Sequence, residues 1–135
     1  MSIVKAFRAV RPTPALAEKV AALPYDVMSS AEARQMVVGN PYSFLHVDRA
    51  EIDLDPGIDL YDTRVYEKAR DNLNQMVEDG VFIQDSKPCL YIYKQVMNGR
   101  AQIGVVGCTS IDEYMEGTIK KHELTRVSGS TLMNG

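Results

Sequence analysis

The sequence predicts an α+β fold in which an antiparallel β-hairpin-based sheet packs against helices. Three observations predict it. Asn98-Gly99 separates two stretches of matched length, Cys89–Met97 and Arg100–Cys108. Asn-Gly is the preferred pair for a two-residue hairpin turn, because both residues tolerate positive φ. Tyr61, Val65, Ala69, Leu73, Met76 and Val77 recur at helical spacing between Leu60 and Asp79, and Gly80 follows as a stop. Ser29 with Glu32, and Ser110 with Glu113, have capping-box spacing, in which hydroxyl and carboxylate each satisfy a backbone N–H of the first helical turn.

The elements follow in order. Thr13-Pro14 opens a helix over Ala15–Leu23, because proline at the first helical position loses no useful hydrogen bond; Pro24 stops it. The Ser29 box opens a second helix over 30–38, ended by Gly39 and Pro41. Tyr42–Val47, rich in aromatic and aliphatic residues, reads as a strand. Asp48–Asp62 is a long acidic connection. The helix from Leu60 to Asp79 is expected to cover the apolar face of the hairpin. Val81–Ile83 is a short strand. In the hairpin, the turn sets Val96 opposite Ala101, Ile92 opposite Val105 and Tyr93 over Gly104. That register places Leu90, Ile92, Val96, Ile103 and Val105 on one face, the expected core face. It also faces Cys89 with Cys108, as a redox pair or as two reduced, buried cysteines. Gly104 and Gly107 read as points of close packing. A short helix after Ser110 ends before Gly117, and the Gly/Ser-rich stretch 127–135 reads as frayed.

Composition bounds the function. The 135 residues suffice for one domain with a modest core. Hydrophobic residues make 45% and charged residues 24%, which excludes a mostly disordered or fibrous chain. A net charge of -3 argues against a nucleic-acid partner. No apolar run is long enough to cross a membrane, and no secretory signal is visible. Two cysteines without such a signal point to a reducing, cytoplasmic setting.

Three segments could carry chemistry. The densest is Lys120, Lys121, His122, Glu123, Thr125 and Arg126. Its cations suit a phosphorylated or carboxylated ligand, while Glu123 or His122 could move a proton. The same residues also make an ordinary solvated charge run. Asp26, in Pro24-Tyr25-Asp26-Val27, is either a ligand contact or an Asx-turn residue. Asn40 and Ser43, in Asn40–Val47, could donate hydrogen bonds to a substrate, or serve a turn and core strand with His46 satisfied by backbone. The two histidines, His46 and His122, lie far apart and no Cys-x-x-Cys occurs, so no metal site is expected. Walker, dinucleotide and nucleophile-elbow glycine patterns are missing.

Seven stretches, taken together and in order, resemble a prokaryotic family known as domain of unknown function 1015. They are Phe7–Pro12, Pro24–Met28, Asn40–Val47, Glu51–Leu54, Leu90–Tyr93 with Gly99-Arg100, Gly104–Cys108 and Ile119–Arg126. The resemblance implies that residues 1–126 are the N-terminal part of a larger family domain, incomplete here, with 127–135 a non-matching, truncated end. Longer relatives carry an Asp-Gly-His-His-Arg motif similar to that of ParB/sulfiredoxin-like proteins, some of which phosphorylate free serine. The implied function is a small-molecule kinase acting on L-serine, with ATP, ADP or pyrophosphate as donor and Mg²⁺ accompanying it. In that reading Glu123 is the base, His122 stabilises charge, Lys120, Lys121 and Arg126 bind phosphates, and Asp26, Asn40 and Ser43 contact the substrate. This chain alone is expected to be inactive and to self-associate through surface that a further part would cover. The alternative is a non-catalytic nucleotide-binding or regulatory module of ParB-like type.

Overall fold

A computed structural model describes residues 3–120. The described residues divide into two compact units, Val10–Gln84 and a discontinuous unit made of the residues up to Ala9 with those from Asp85 on. The α+β class holds: helices accompany two small antiparallel sheets.

In the Val10–Gln84 unit, β1 (Val10–Pro12) pairs antiparallel with β2 (Phe82–Gln84), Arg11 facing Ile83. The helices are α1 (Ala17–Val20), α2 (Ser30–Met36), α3 (Leu45–Asp48) and α4 (Thr63–Glu78), with 3-10 turns at Tyr25–Val27 and Ala50–Asp53. The capping box of α2 forms with both limbs: the Glu32 N–H donates to Ser29 Oγ, and Glu32 Oε2 accepts the Ser29 N–H at 2.7 Å. Those bonds from Ser29, backbone first, hold the Glu32 carboxyl below its ordinary pKa. α4 is capped by Asp62, whose carboxylate accepts the Arg64 N–H and pairs with its guanidinium. Those Arg64 bonds, side chain first, bring the Asp62 pKa down to about 2.

Two expectations fail here. α1 is one turn, not Ala15–Leu23. Its last carbonyls are taken by distant partners, Lys19 O by Asn40 Nδ2 and Val20 O by the Phe44 N–H, and the backbone turns out of helix at Ala21 (ψ 130°). Tyr42–Val47 is not a strand: its second half enters α3. Asn40 Oδ1 accepts the Tyr42 N–H and Ser43 Oγ accepts the Leu45 N–H, so two short polar side chains coil the backbone and override the aromatic β preference.

Every buried residue among those described belongs to this unit. One cluster is Val20, Met76, Val81 and Phe82, flanked by Leu16, Tyr42, Phe44 and Val47; the Phe44 and Phe82 rings meet edge-on at 6.1 Å. Another is Ala33, Leu45 and Ile52. α4 packs on α3, Ala50–Asp53 and β2.

In the other unit, β3 (Tyr91–Met97) and β4 (Arg100–Val106) form the hairpin in the expected register, with Ile92 facing Val105 and Val96 facing Ala101. Asn98 (φ 51°) and Gly99 (φ 74°) both take the left-handed conformation that a two-residue turn of this kind requires. The expected core face is not a core face. Ile92, Val96, Ile103 and Val105 are 60–78% exposed, and α4 spends its buried residues Val65 and Met76 within its own unit. Gly107 is a close-packing point, where a Cβ would stand 2.7 Å from Val4 Cγ1, but a Cβ at Gly104 would meet nothing. Beyond Tyr91 and Val106 the ladder stops. Lys5 bridges Cys108 and Phe7 bridges Cys89, each through two backbone hydrogen bonds. Both cysteines are free thiols and exposed, not buried. α5 (Ile111–Met115) starts at Ser110, whose Oγ accepts the Glu113 N–H; the Glu113 carboxylate turns instead to the Ile3 N–H.

Candidate functional site

Asp26 lies exposed in the Tyr25–Val27 turn, beside a polar network centred on Arg49. The Arg49 guanidinium donates to Tyr25 O at 2.8 Å and to Ser30 Oγ at 3.0 Å, and Ser30 Oγ donates to Glu51 Oε1 at 2.8 Å. Arg49 Nε stands 2.9 Å from the same carboxylate oxygen, with its N–H aimed off the line, so that contact is Coulombic and not a hydrogen bond. Arg34 reaches the carbonyls of Glu51 and Ile52 from α2. Burial raises the Asp48 pKa; Arg49 opposes the shift, while Glu51 and Asp26 add to it. These bonds tie the Tyr25–Val27 turn, α2 and the Ala50–Asp53 turn to one cation.

Asn40 and Ser43 come together in a second place, around His46. Asn40 accepts His46 Nε2 on its backbone oxygen at 3.2 Å, and its side chain bonds Lys19 O. Ser43 is buried, with its hydroxyl on the Leu45 N–H. His46 Nδ1 lies 2.9 Å from Asp53 Oδ1 and 3.0 Å from Oδ2. From α4, Asn72 Nδ2 donates to Asp53 Oδ2 at 2.8 Å and to His46 O at 2.6 Å. The triad borders a cleft of about 440 Å³ that Tyr42, Gln75 and Asp79 also line. The His46 pairing with Asp53 and Asn72 is a feature that sequence reasoning missed. It joins three segments, and only the convergence of Asn40–Val47 and Glu51–Leu54, both set apart as motifs, hinted at it.

Of the cationic segment, Lys120 is exposed and follows Ile119, whose N–H donates to Glu113 O. Lys121, His122, Glu123 and Arg126 lie outside the described residues. Among the described residues no group of three His, Cys, Asp or Glu side chains could hold a metal ion, and no helix is long and apolar enough to cross a membrane.

The family model described as protein of unknown function (DUF1015) matches residues 4–131. The chain belongs to the DUF1015 family. The DUF1015 match takes in both polar clusters and the whole Lys120–Arg126 segment, and runs past residue 126. No curated protein and no solved structure matches the chain.

Proposed function

We propose that this DUF1015 chain forms the N-terminal part of a small-molecule kinase that phosphorylates free L-serine from ATP, ADP or pyrophosphate. The observation that carries this reading is the Lys120-Lys121-His122-Glu123-Leu124-Thr125-Arg126 segment, which falls inside the family match. Phosphoryl transfer rests on positioning and charge neutralisation, and this segment concentrates both kinds of residue. Glu123 accepts the proton of the substrate hydroxyl. Lys120, Lys121 and Arg126 hold donor phosphates, and His122 stabilises charge. Mg²⁺ would come with the donor, held by phosphate oxygens with few protein ligands. Asp26, Asn40 and Ser43 are proposed to serve substrate binding: Asp26, which is exposed, as a direct contact, and Asn40 and Ser43 through the turn they shape. The kinship with ParB/sulfiredoxin-like proteins belongs to the same proposal.

The test is phosphotransfer. The chain, alone and joined to the downstream region of a longer relative, is incubated with L-serine, Mg²⁺ and each donor, and O-phosphoserine is read by mass spectrometry. The expected result is product from the joined form, reduced by roughly 10²–10⁴-fold on Glu123→Gln. Absence of product with every donor overturns the kinase reading in favour of a non-catalytic ligand-binding module.

A further inference from the structure

We propose that Cys89 and Cys108 form an oxidation-sensitive thiol pair, aligned side by side by the N-terminal segment, which a small-molecule disulfide converts into an intrachain bond across the base of the hairpin. The pair is built from residues other than the Lys120–Arg126 segment and does not rest on the kinase reading.

The backbone aligns the two thiols. Lys5 and Cys108 exchange both backbone hydrogen bonds, at 2.8 and 2.9 Å, and Phe7 and Cys89 do the same at 3.0 and 2.9 Å. Both bridges are antiparallel, so each cysteine stands directly across from its partner, with its side chain on the partner's face of the pairing. Lys5 and Phe7 are two positions apart, so they share a face, and in extended backbone their Cα atoms are about 6.6 Å apart. Cys89 and Cys108 inherit both properties, one face and a spacing of about 6.6 Å. That spacing falls inside the roughly 4.4–6.8 Å over which a disulfide spans two Cα atoms.

Both thiols are free and exposed, and they differ in setting. Cys89 Sγ rests on Lys87 O at 3.5 Å. Cys108 lines a cleft of about 430 Å³ with Lys5, Thr109 and Glu113, so it is the thiol that a small disulfide reaches first. Its thiolate attacks one sulfur of the reagent, forms a mixed disulfide and expels one thiolate. The Cys89 thiolate then attacks the Cys108 sulfur and expels the second. The chain gives up two electrons and two protons, and one reagent disulfide becomes two thiols. The new bond closes a loop that holds all of β3 and β4, whose Ile92 and Val105 are 78% and 69% exposed. A two-stranded ribbon is marginal by itself, so oxidation sets how firmly this one holds.

To test this, the full chain is equilibrated with oxidised and reduced glutathione, in native buffer and in urea. Thiols are then trapped by alkylation, and the Cys89–Cys108 crosslink is mapped by peptide mass spectrometry. The expected result is an intrachain disulfide whose effective concentration is at least about tenfold higher in native buffer than in urea. Lys5→Pro removes the N–H given to Cys108 O and should bring the native value down to that in urea. Lys5→Ala keeps the backbone bonds and should leave the value unchanged. If Lys5→Pro fails to fold, the parent in the two solvents decides. Glutathione adducts without the crosslink, crosslinks only between chains, equal values in the two solvents, an unchanged value in a folded Lys5→Pro, or loss in Lys5→Ala overturns the proposal. Each of these results leaves the phosphotransfer assay untouched.

Discussion

The Tyr91 hydroxyl donates to Asp85 Oδ2 across 2.6 Å and accepts the Ala9 N–H at 2.9 Å. Phe7 O stands 3.1 Å away, and the Phe7 ring meets the Tyr91 ring edge-on at 5.1 Å. One side chain of β3 thus fastens the N-terminal segment to the hairpin. Burial, and then the bond to Asp85, raise the phenol above its ordinary pKa of 10.0. A raised pKa means that the neutral form is favoured in the fold. Its stabilisation is complete below the ordinary value and is lost as pH rises through the raised one. Tyr91→Phe should lower the thermal midpoint at neutral pH, and the gap to the parent should close in strong alkali. No gap at neutral pH would show the hydroxyl to be without effect, and a gap that persists in strong alkali would contradict the raised pKa.

Glu51 Oε1 stands 2.9 Å from Arg49 Nε, and the two side chains are 7% and 14% exposed. Breaking a buried pair from one side strands the other charge, at roughly 3–5 kcal/mol. Glu51→Ala should therefore lower the urea midpoint strongly with little change in slope. Ser30→Ala, which removes one bridging hydroxyl, should cost about 1 kcal/mol. Equal effects would contradict the network drawn above.

Gly99 isolates backbone strain from packing, since its φ is +74° and a Cβ there would touch nothing. Gly99→Ala should cost about 1–2 kcal/mol through the left-handed conformation alone. Chemical denaturation reads the cost, and contacts between Ile92 and Val105 in the nuclear Overhauser spectrum should persist. A neutral variant would mean that the turn is not of the expected kind.

Val105 and Phe82 test where the core lies. Val105 is 69% exposed and Phe82 8%. Val105→Lys should change stability by no more than about 0.5 kcal/mol, and should reduce binding of a hydrophobic dye. Phe82→Ala should cost about 3–5 kcal/mol. The reverse order would place the core on the hairpin after all.

The parts legible in the sequence are those with a local cause. The hairpin register follows from Asn98-Gly99, the start of α2 from Ser29 and Glu32, and α4 from its apolar spacing. What escaped depends on distant partners. β1 pairs with β2 across nearly the whole unit, and nothing near Val10 announces Gln84. α1 is shortened by donors from Asn40 and Phe44. The second limb expected at Ser110 is lost because Ile3, from the other end of the chain, takes the Glu113 carboxylate. The candidate site divides in the same way. Residue types marked out Asp26, Asn40 and Ser43, while the union of His46 with Asp53 and Asn72 exists only once α3 and α4 are packed together.

The bridges from Lys5 to Cys108 and from Phe7 to Cys89 imply an order of assembly. Synthesis delivers the N-terminal segment first, yet its pairing partners arrive only after the entire Val10–Gln84 unit has been made. That unit holds the buried clusters and can condense early, whereas the first residues wait for the hairpin. Closing such a long loop is slow, and collapse of the intervening unit shortens the distance that must be searched. The unit that closes last in the chain is thus the one whose two halves lie farthest apart in sequence, and its formation is expected to set the pace of folding.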